Sequence, residues 1–151
     1  MIRLRDTLRP ENTQLSINAQ SREEATHRVA ELLRSDTRVN DWPEFYRALK
    51  ERDAGGKTDL GYGLTLPHTR TSAVNDMVMA FGRLTAPVQG EKGPITFVVV
   101  IGIPKTMDSE YLRLVGILMR VFRNDQLRSQ LENAKKPSQV LDVFEQGETE
   151  L

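Results

Sequence analysis

The chain has 151 residues, carries 21 Lys plus Arg against 21 Asp plus Glu for a formal net charge of zero, and contains no cysteine. That length suits one domain, residues 1–151, able to bury about two thirds of its unfolded surface. The even charge argues against nucleic acid as a partner, and the lack of cysteine excludes a disulfide framework, a thiolate metal site and a cysteine nucleophile.

The opening stretch, MIRLRDTLRPENTQ, alternates apolar and charged residues and lacks the continuous apolar core of a signal peptide. Ser21-Arg22-Glu23-Glu24 is a capping box and predicts a helix start, and Ala25, Val29, Leu32 and Leu33 then share one face of a 3.6-residue period. His27 falls about 200° from Ala25 on that helix, which makes it a surface residue. A second helix is predicted from Asp41, with Trp42 and Pro43 in its first turn, to the pair Gly55-Gly56.

Two strands are expected at Met77 to Leu84 and Ile95 to Ile103, separated by the connection APVQGEKGP. The second, ITFVVVIGI, is apolar on both faces, as an interior strand covered on both sides should be. It is also the longest apolar run, far short of the ~20 residues a membrane helix needs, so a cytoplasmic chain without membrane insertion is expected. Pro104 closes this strand, and Asp108 or Ser109 is placed to cap the next helix, EYLRLVGILMRVF. That helix is apolar almost all round, with Arg113 and Arg120 on one narrow side, and is predicted to be largely buried. DQLRSQLENA and PSQVLDVFEQ read as two shorter helices, the second capped by Ser138. Strands in the middle and helices at both ends indicate an α/β layered domain. Because ligands gather beyond strand ends, Pro67-His68 and Asp108 to Tyr111 are expected to open onto one surface.

Residues 58–70, TDLGYGLTLPHTR, hold the second of only two histidines. Gly61 and Gly63 permit positive φ, and Pro67 fixes its own φ while pushing Leu66 toward an extended conformation, so the His68 imidazole sits on a stiff support. A neutral imidazole is a nucleophile toward phosphorus as well as a general base. Thr69, Arg70, Thr71 and Ser72 follow with hydroxyls, amides and one guanidinium suited to phosphate oxygens. Two histidines with no HExxH pairing form no recognisable metal constellation. Composition alone equally allows an ordinary histidine in a turn.

The run Gly61-x-Gly63-Leu64-Thr65-Leu66-Pro67-His68 resembles the phosphorylation-site motif of the enzyme IIA domains of the fructose and mannitol class of the bacterial phosphotransferase system, and the nitrogen-regulatory branch of that family is closest in length. The likeness extends over roughly residues 3–147: a first helix after a short opening strand, the helix leading into the glycines, the strand pair beyond His68, the apolar strand ending in Ile103-Pro104, an acidic turn entering an apolar helix, and a closing helix pair with Ala134-Lys135-Lys136. The resemblance implies a single layered α/β domain with a mixed sheet flanked by helices on both faces. It implies a phosphohistidine at His68, charged by a histidine-containing phosphocarrier protein, with Thr58, Thr69 and Arg70 as phosphate-binding candidates and no metal or cofactor. It further implies regulated protein partners or a separate IIB component, without nucleic acid or membrane.

Three positions depart from the family pattern. Thr65 stands where Ala is common, Thr69 where a small residue follows the histidine, and Tyr111 where a second histidine usually sits beside the phosphorylated ring. A tyrosine hydroxyl still donates a hydrogen bond but, with a pKa near 10, does not become a cation. Tyr111 also lines up with Val115, Leu118 and Phe122, the spacing of a buried stripe. Two functions therefore stand side by side: a phosphoryl carrier or phosphorylation-state regulator acting through His68, and a regulatory module that keeps the fold but no longer transfers phosphate. A hydrolase using His68 as general base lacks an identified nucleophile or metal.

Overall fold

In the computed structural model, which describes residues 3–54 and 57–149, one turn of helix, α1 (Leu4–Thr7), leads into the strand β1 (Leu8–Ile17). The capping box then works as its residue types require: Ser21 is extended, its Oγ accepts from the Glu24 amide at 3.1 Å, and α2 (Arg22–Glu31) follows. Asp41 likewise accepts from the Glu44 amide at 3.2 Å ahead of α3 (Trp42–Ala54). The expected stop at Gly55-Gly56 lies outside the described residues. Three short strands come next, β2 (Asp59–Gly61), β3 (Leu64–Thr65) and β4 (His68–Arg70), and then two long ones, β5 (Val78–Gly90) and β6 (Gly93–Ile103). The helices α4 (Asp108–Arg123), α5 (Asp125–Asn133) and α6 (Pro137–Thr149) close the chain.

The strands form one mixed sheet in the order β1-β5-β6-β3-β2, with β4 also on β6. β1 runs parallel to β5, β5 antiparallel to β6, and both β3 and β4 parallel to β6. Alternation along β6 feeds two apolar layers. Phe97, Val99 and Ile101 join the layer built with α4, α5 and α6, whereas Val98 and Val100 join the layer built with α2 and α3. The two-faced strand read from ITFVVVIGI is thus interior, with helices on both sides of the sheet. In the first layer Phe81, Phe97, Phe122 and Phe144 form an aromatic cluster with centroid separations of 5.3 to 6.3 Å.

The structure corrects four expectations. APVQGEKGP is the end of a hairpin, because β5 continues to Gly90 and β6 begins at Gly93. Pro87 is tolerated there because it falls in the register shift between Arg83 and Val88, where the ladder is interrupted. α4 buries one face rather than nearly all of its surface: Leu114, Ile117, Leu118, Val121 and Phe122 are buried, but Leu112 is 68% exposed. Neither Asp108 nor Ser109 caps that helix, since Met107 holds the cap position and the Asp108 carboxylate is turned to Arg70. Ser138 lies inside α6, whose first residue is Pro137, a position where the missing amide costs nothing. His27 is at the surface as expected, with its Nδ1 2.6 Å from the Tyr46 hydroxyl. Among the described residues no helix is long and apolar enough to cross a membrane.

Candidate functional site

The segment before His68 is shaped by its glycines. Gly61, Tyr62 and Gly63 all have positive φ, at 83°, 57° and 77°, and together they turn the chain from β2 into the antiparallel β3. From there the backbone is tied at each step toward the histidine. The Leu66 amide donates to the Thr58 carbonyl at 2.9 Å, and the Pro67 carbonyl accepts from the Ile101 amide at 3.0 Å. β4 then pairs with the end of β6, His68 opposite Ile101 and Arg70 opposite Ile103.

This support fixes the imidazole's tautomer. His68 Nδ1 lies 2.8 Å from the Leu66 carbonyl oxygen, and since a carbonyl only accepts, Nδ1 carries the proton and the Nε2 lone pair is free. Burial holds the His68 pKa below its ordinary value. The bond to Leu66 and the negative charge of Asp53 oppose that shift, and the Arg52 cation adds to it. Near neutral pH the ring is therefore uncharged.

The Tyr111 ring, one turn into α4, stacks on His68 with centroids 5.4 Å apart and planes at 28°. The two loops expected to open onto one surface do meet. Tyr111 is half-buried and packs against the first apolar layer, so the packing stripe and the contact with His68 are the same placement. Burial pushes its phenol pKa up against the opposing field of Arg52, which leaves a neutral hydroxyl.

Arg52, which the sequence reading did not single out, is the cation whose field reaches both rings. Its signal was available: it is the basic residue in the last turn of α3, just ahead of the glycine motif. Arg70 is exposed on the rim, where its Nε pairs with Asp108 at 2.8 Å and its Nη2 donates to the Lys105 carbonyl at 3.1 Å. It thereby ties β4 to the start of α4. Thr69, one residue from His68 along β4, points to the opposite face and is buried. Thr58 is also buried, and its hydroxyl accepts from Arg22 and donates to Asp53. The structure thus stacks Tyr111 on His68, leaves Arg70 exposed and paired with Asp108, and buries Thr58 and Thr69.

Comparison with known proteins bears on the chain as a whole and on its fold. Residues 6–147 match the family model described as "Phosphoenolpyruvate-dependent sugar phosphotransferase system, EIIA 2". The chain is 30% identical over 138 residues to the 2-O-alpha-mannosyl-D-glycerate-specific EIIABC component of Escherichia coli K12, covering 87% of this chain but 21% of that protein. It is 25% identical over 137 residues to a nitrogen regulatory protein of Pseudomonas aeruginosa, covering 89% of each. Its fold superposes on the crystal structure of the nitrogen regulatory protein IIA-Ntr from Neisseria meningitidis with a TM-score of 0.82 at 22% identity, covering 92% of this chain and 97% of that one.

Proposed function

Because the chain belongs to the EIIA 2 family of the phosphoenolpyruvate-dependent sugar phosphotransferase system, we propose that residues 1–151 act as one enzyme IIA-type unit that takes a phosphoryl group on Nε2 of His68. The observation that carries this reading is the bond from Nδ1 to the Leu66 carbonyl, which leaves a neutral ring with its Nε2 lone pair unused. The donor is a phosphohistidine on a carrier protein. Nε2 attacks phosphorus in line, the new N–P bond forms as the donor's N–P bond breaks, and the electron pair of the broken bond returns to the donor imidazole. The His68 ring gains positive charge, and the proton stays on Nδ1, donated to the Leu66 carbonyl.

Arg52 is placed to offset the phosphoryl dianion, and Arg70 can swing from Asp108 to add a second cation at the rim. Thr58 and Thr69 contribute by holding the segment rather than by touching phosphate. The relative from Escherichia coli is named as an EIIABC component, and this chain spans about a fifth of its length. A separate IIB component is accordingly one acceptor, and a protein regulated by the phosphorylation state, in the manner suggested by the nitrogen regulatory relative, is the other. The reading places the protein in the cytoplasm.

A second reading is favoured by Tyr111. A neutral phenol stacked on His68 supplies no charge to the transferring group, so the domain would bind and regulate partners without transfer. One experiment separates the two. The protein is incubated with phosphoenolpyruvate, the general first enzyme of the system and its phosphocarrier, and an acid-labile phosphoryl adduct is sought. Label on the wild type and none on His68→Ala supports transfer; no label under conditions that modify a two-histidine relative supports the second reading.

A further inference from the structure

Arg22 is the first residue of α2, where a cation meets the positive end of the helix dipole, so its place there calls for a reason outside the helix. The reason is a buried network. Its Nη1 and Nη2 grip the Asp53 carboxylate at 2.8 and 2.9 Å, and its Nε reaches Asp59 at 2.8 Å. Nη2 also donates to Thr65 Oγ1 at 2.8 Å and to Thr58 Oγ1. The side chains of Arg22, Asp53 and Asp59 are 14%, 10% and 2% exposed, so water does not substitute for these contacts. Burial pushes Asp59 upward, but donors from Thr65, Arg22 and the Glu91 amide outweigh it and hold the carboxylate ionised.

Every arm of this network ends on a segment that presents the phosphorylation site. Asp53 follows Arg52 in the last turn of α3. Thr58 and Thr65 flank the strand pair β2 and β3, and the Thr58 carbonyl holds the Leu66 amide while the Leu66 carbonyl holds His68 Nδ1. We propose that Arg22 is the positioning residue of the site: one guanidinium sets the Leu66 carbonyl that selects the His68 tautomer, and it grips Asp53, the residue that follows Arg52 in α3. This rests on the reading of His68 as phosphoryl acceptor, but its decisive readout does not.

The test follows the imidazole nitrogens of His68 by ¹⁵N-resolved NMR across pH in the full chain. It compares wild type, Arg22→Met, Arg22→Lys and a control, Arg38→Met. Arg38 is equally buried and clamps Asp36 and the carbonyls of Thr7 and Met77, away from the histidine's supporting segment. In Arg22→Met the charged neighbours of His68 become Arg52 and an Asp53 without its partner, with Tyr111 neutral. The Nδ1–H tautomer should then give way to a mixture, and the midpoint should rise by about half a unit or more. Arg22→Lys restores charge without the fork, so the midpoint should return while the tautomer mixture persists. Arg38→Met should lose stability and leave the His68 signals unchanged.

Phosphorylation by phosphoramidate, a small donor that needs no docking, should fall about tenfold to a hundredfold in Arg22→Lys. If Arg22→Met does not fold, Arg22→Lys decides. A His68 tautomer unchanged in Arg22→Lys, whatever its melting temperature, would overturn the inference and leave Arg22 a stabilising residue only. If wild type takes no phosphate, the acceptor reading fails, and Arg22 is still judged by the tautomer.

Discussion

Replacing Tyr111 with histidine changes the ring that stacks on His68, and its effect can be sized from that stack. With centroids 5.4 Å apart, a full charge on the introduced imidazole interacts with a unit of charge on its partner by about 3 kcal/mol at an effective dielectric of about 20. Both rings are only partly buried, so screening reduces this to about 1–2 kcal/mol, or roughly tenfold in rate at the transition state. The sign depends on pH. The introduced imidazole helps only while protonated, below about pH 6.5, whereas His68 accepts phosphate only while neutral, above its burial-lowered pKa. Wild type should therefore show a rate that rises with pH to a plateau, and Tyr111→His a bell with an accelerated maximum near pH 6. Rapid-quench labelling from the phosphorylated carrier, run from pH 5 to 8.5, reads both profiles. A Tyr111→His profile of the same shape and height as wild type would refute the reasoning that a charge introduced at this position reaches the transfer.

Phe122→Ala should cost about 3–5 kcal/mol, read by urea denaturation, because that fully buried ring packs edge-on against Phe97 at 5.3 Å and touches Phe144. Gly102→Ala should cost about 1–3 kcal/mol in the same assay, since a Cβ there would fall 2.7 Å from Phe45 Cε1 and 2.8 Å from Val78 Cγ2, on the stretch of β6 that holds β4. Asp36 is held far below the usual carboxylate range: burial alone would raise it, but bonds from Arg38 and Asn12 outweigh burial. A depressed folded pKa gives stability that is present above the unfolded value near 4 and lost as pH falls below it. Asp36→Asn should thus destabilise by about 3–5 kcal/mol at pH 7 and flatten the acid limb of a melting curve series below pH 4; an acid limb as steep as wild type's would show that other carboxylates carry it.

How much of this was legible depended on whether the determinant was local. Ser21 and Glu24 specify a helix start through bonds three residues apart, and ITFVVVIGI declares a two-faced strand in nine letters, so both were readable. The glycines around Tyr62 signalled positive φ for the same reason. The hairpin end of β5 was not, because Pro87 and Gly90 spell a loop locally, whereas Pro87 falls in a register shift and Gly90 pairs with Gly93, which only the partner strand reveals. Thr69 shows what adjacency leaves out: next to His68 in β4, its buried side chain takes the opposite face of the strand. Arg22, Arg52 and Asp53 were invisible as a group, since their 30-residue separation carries no periodic signal and the network forms only when α2, α3 and β2 pack.

The charges gathered at the site suggest why an uncharged Tyr111 is compatible with the fold's chemistry. His68 and Tyr111 are both neutral near pH 7, so the fixed charges facing the imidazole are Arg52 and Asp53, and Asp53 is already committed to Arg22. Under the proposed function, a phosphoryl dianion on His68 would meet the field of Arg52, a guanidinium that does not titrate, with Arg70 at the rim paired to an exposed carboxylate. A two-histidine arrangement would draw part of its charge from a group that titrates near neutrality; under the proposed function this one would draw it from arginines. Acceptance by His68 should consequently stay level from pH 7 to 9, and Arg52→Gln should lower that whole plateau by about tenfold to a hundredfold rather than shift its edge.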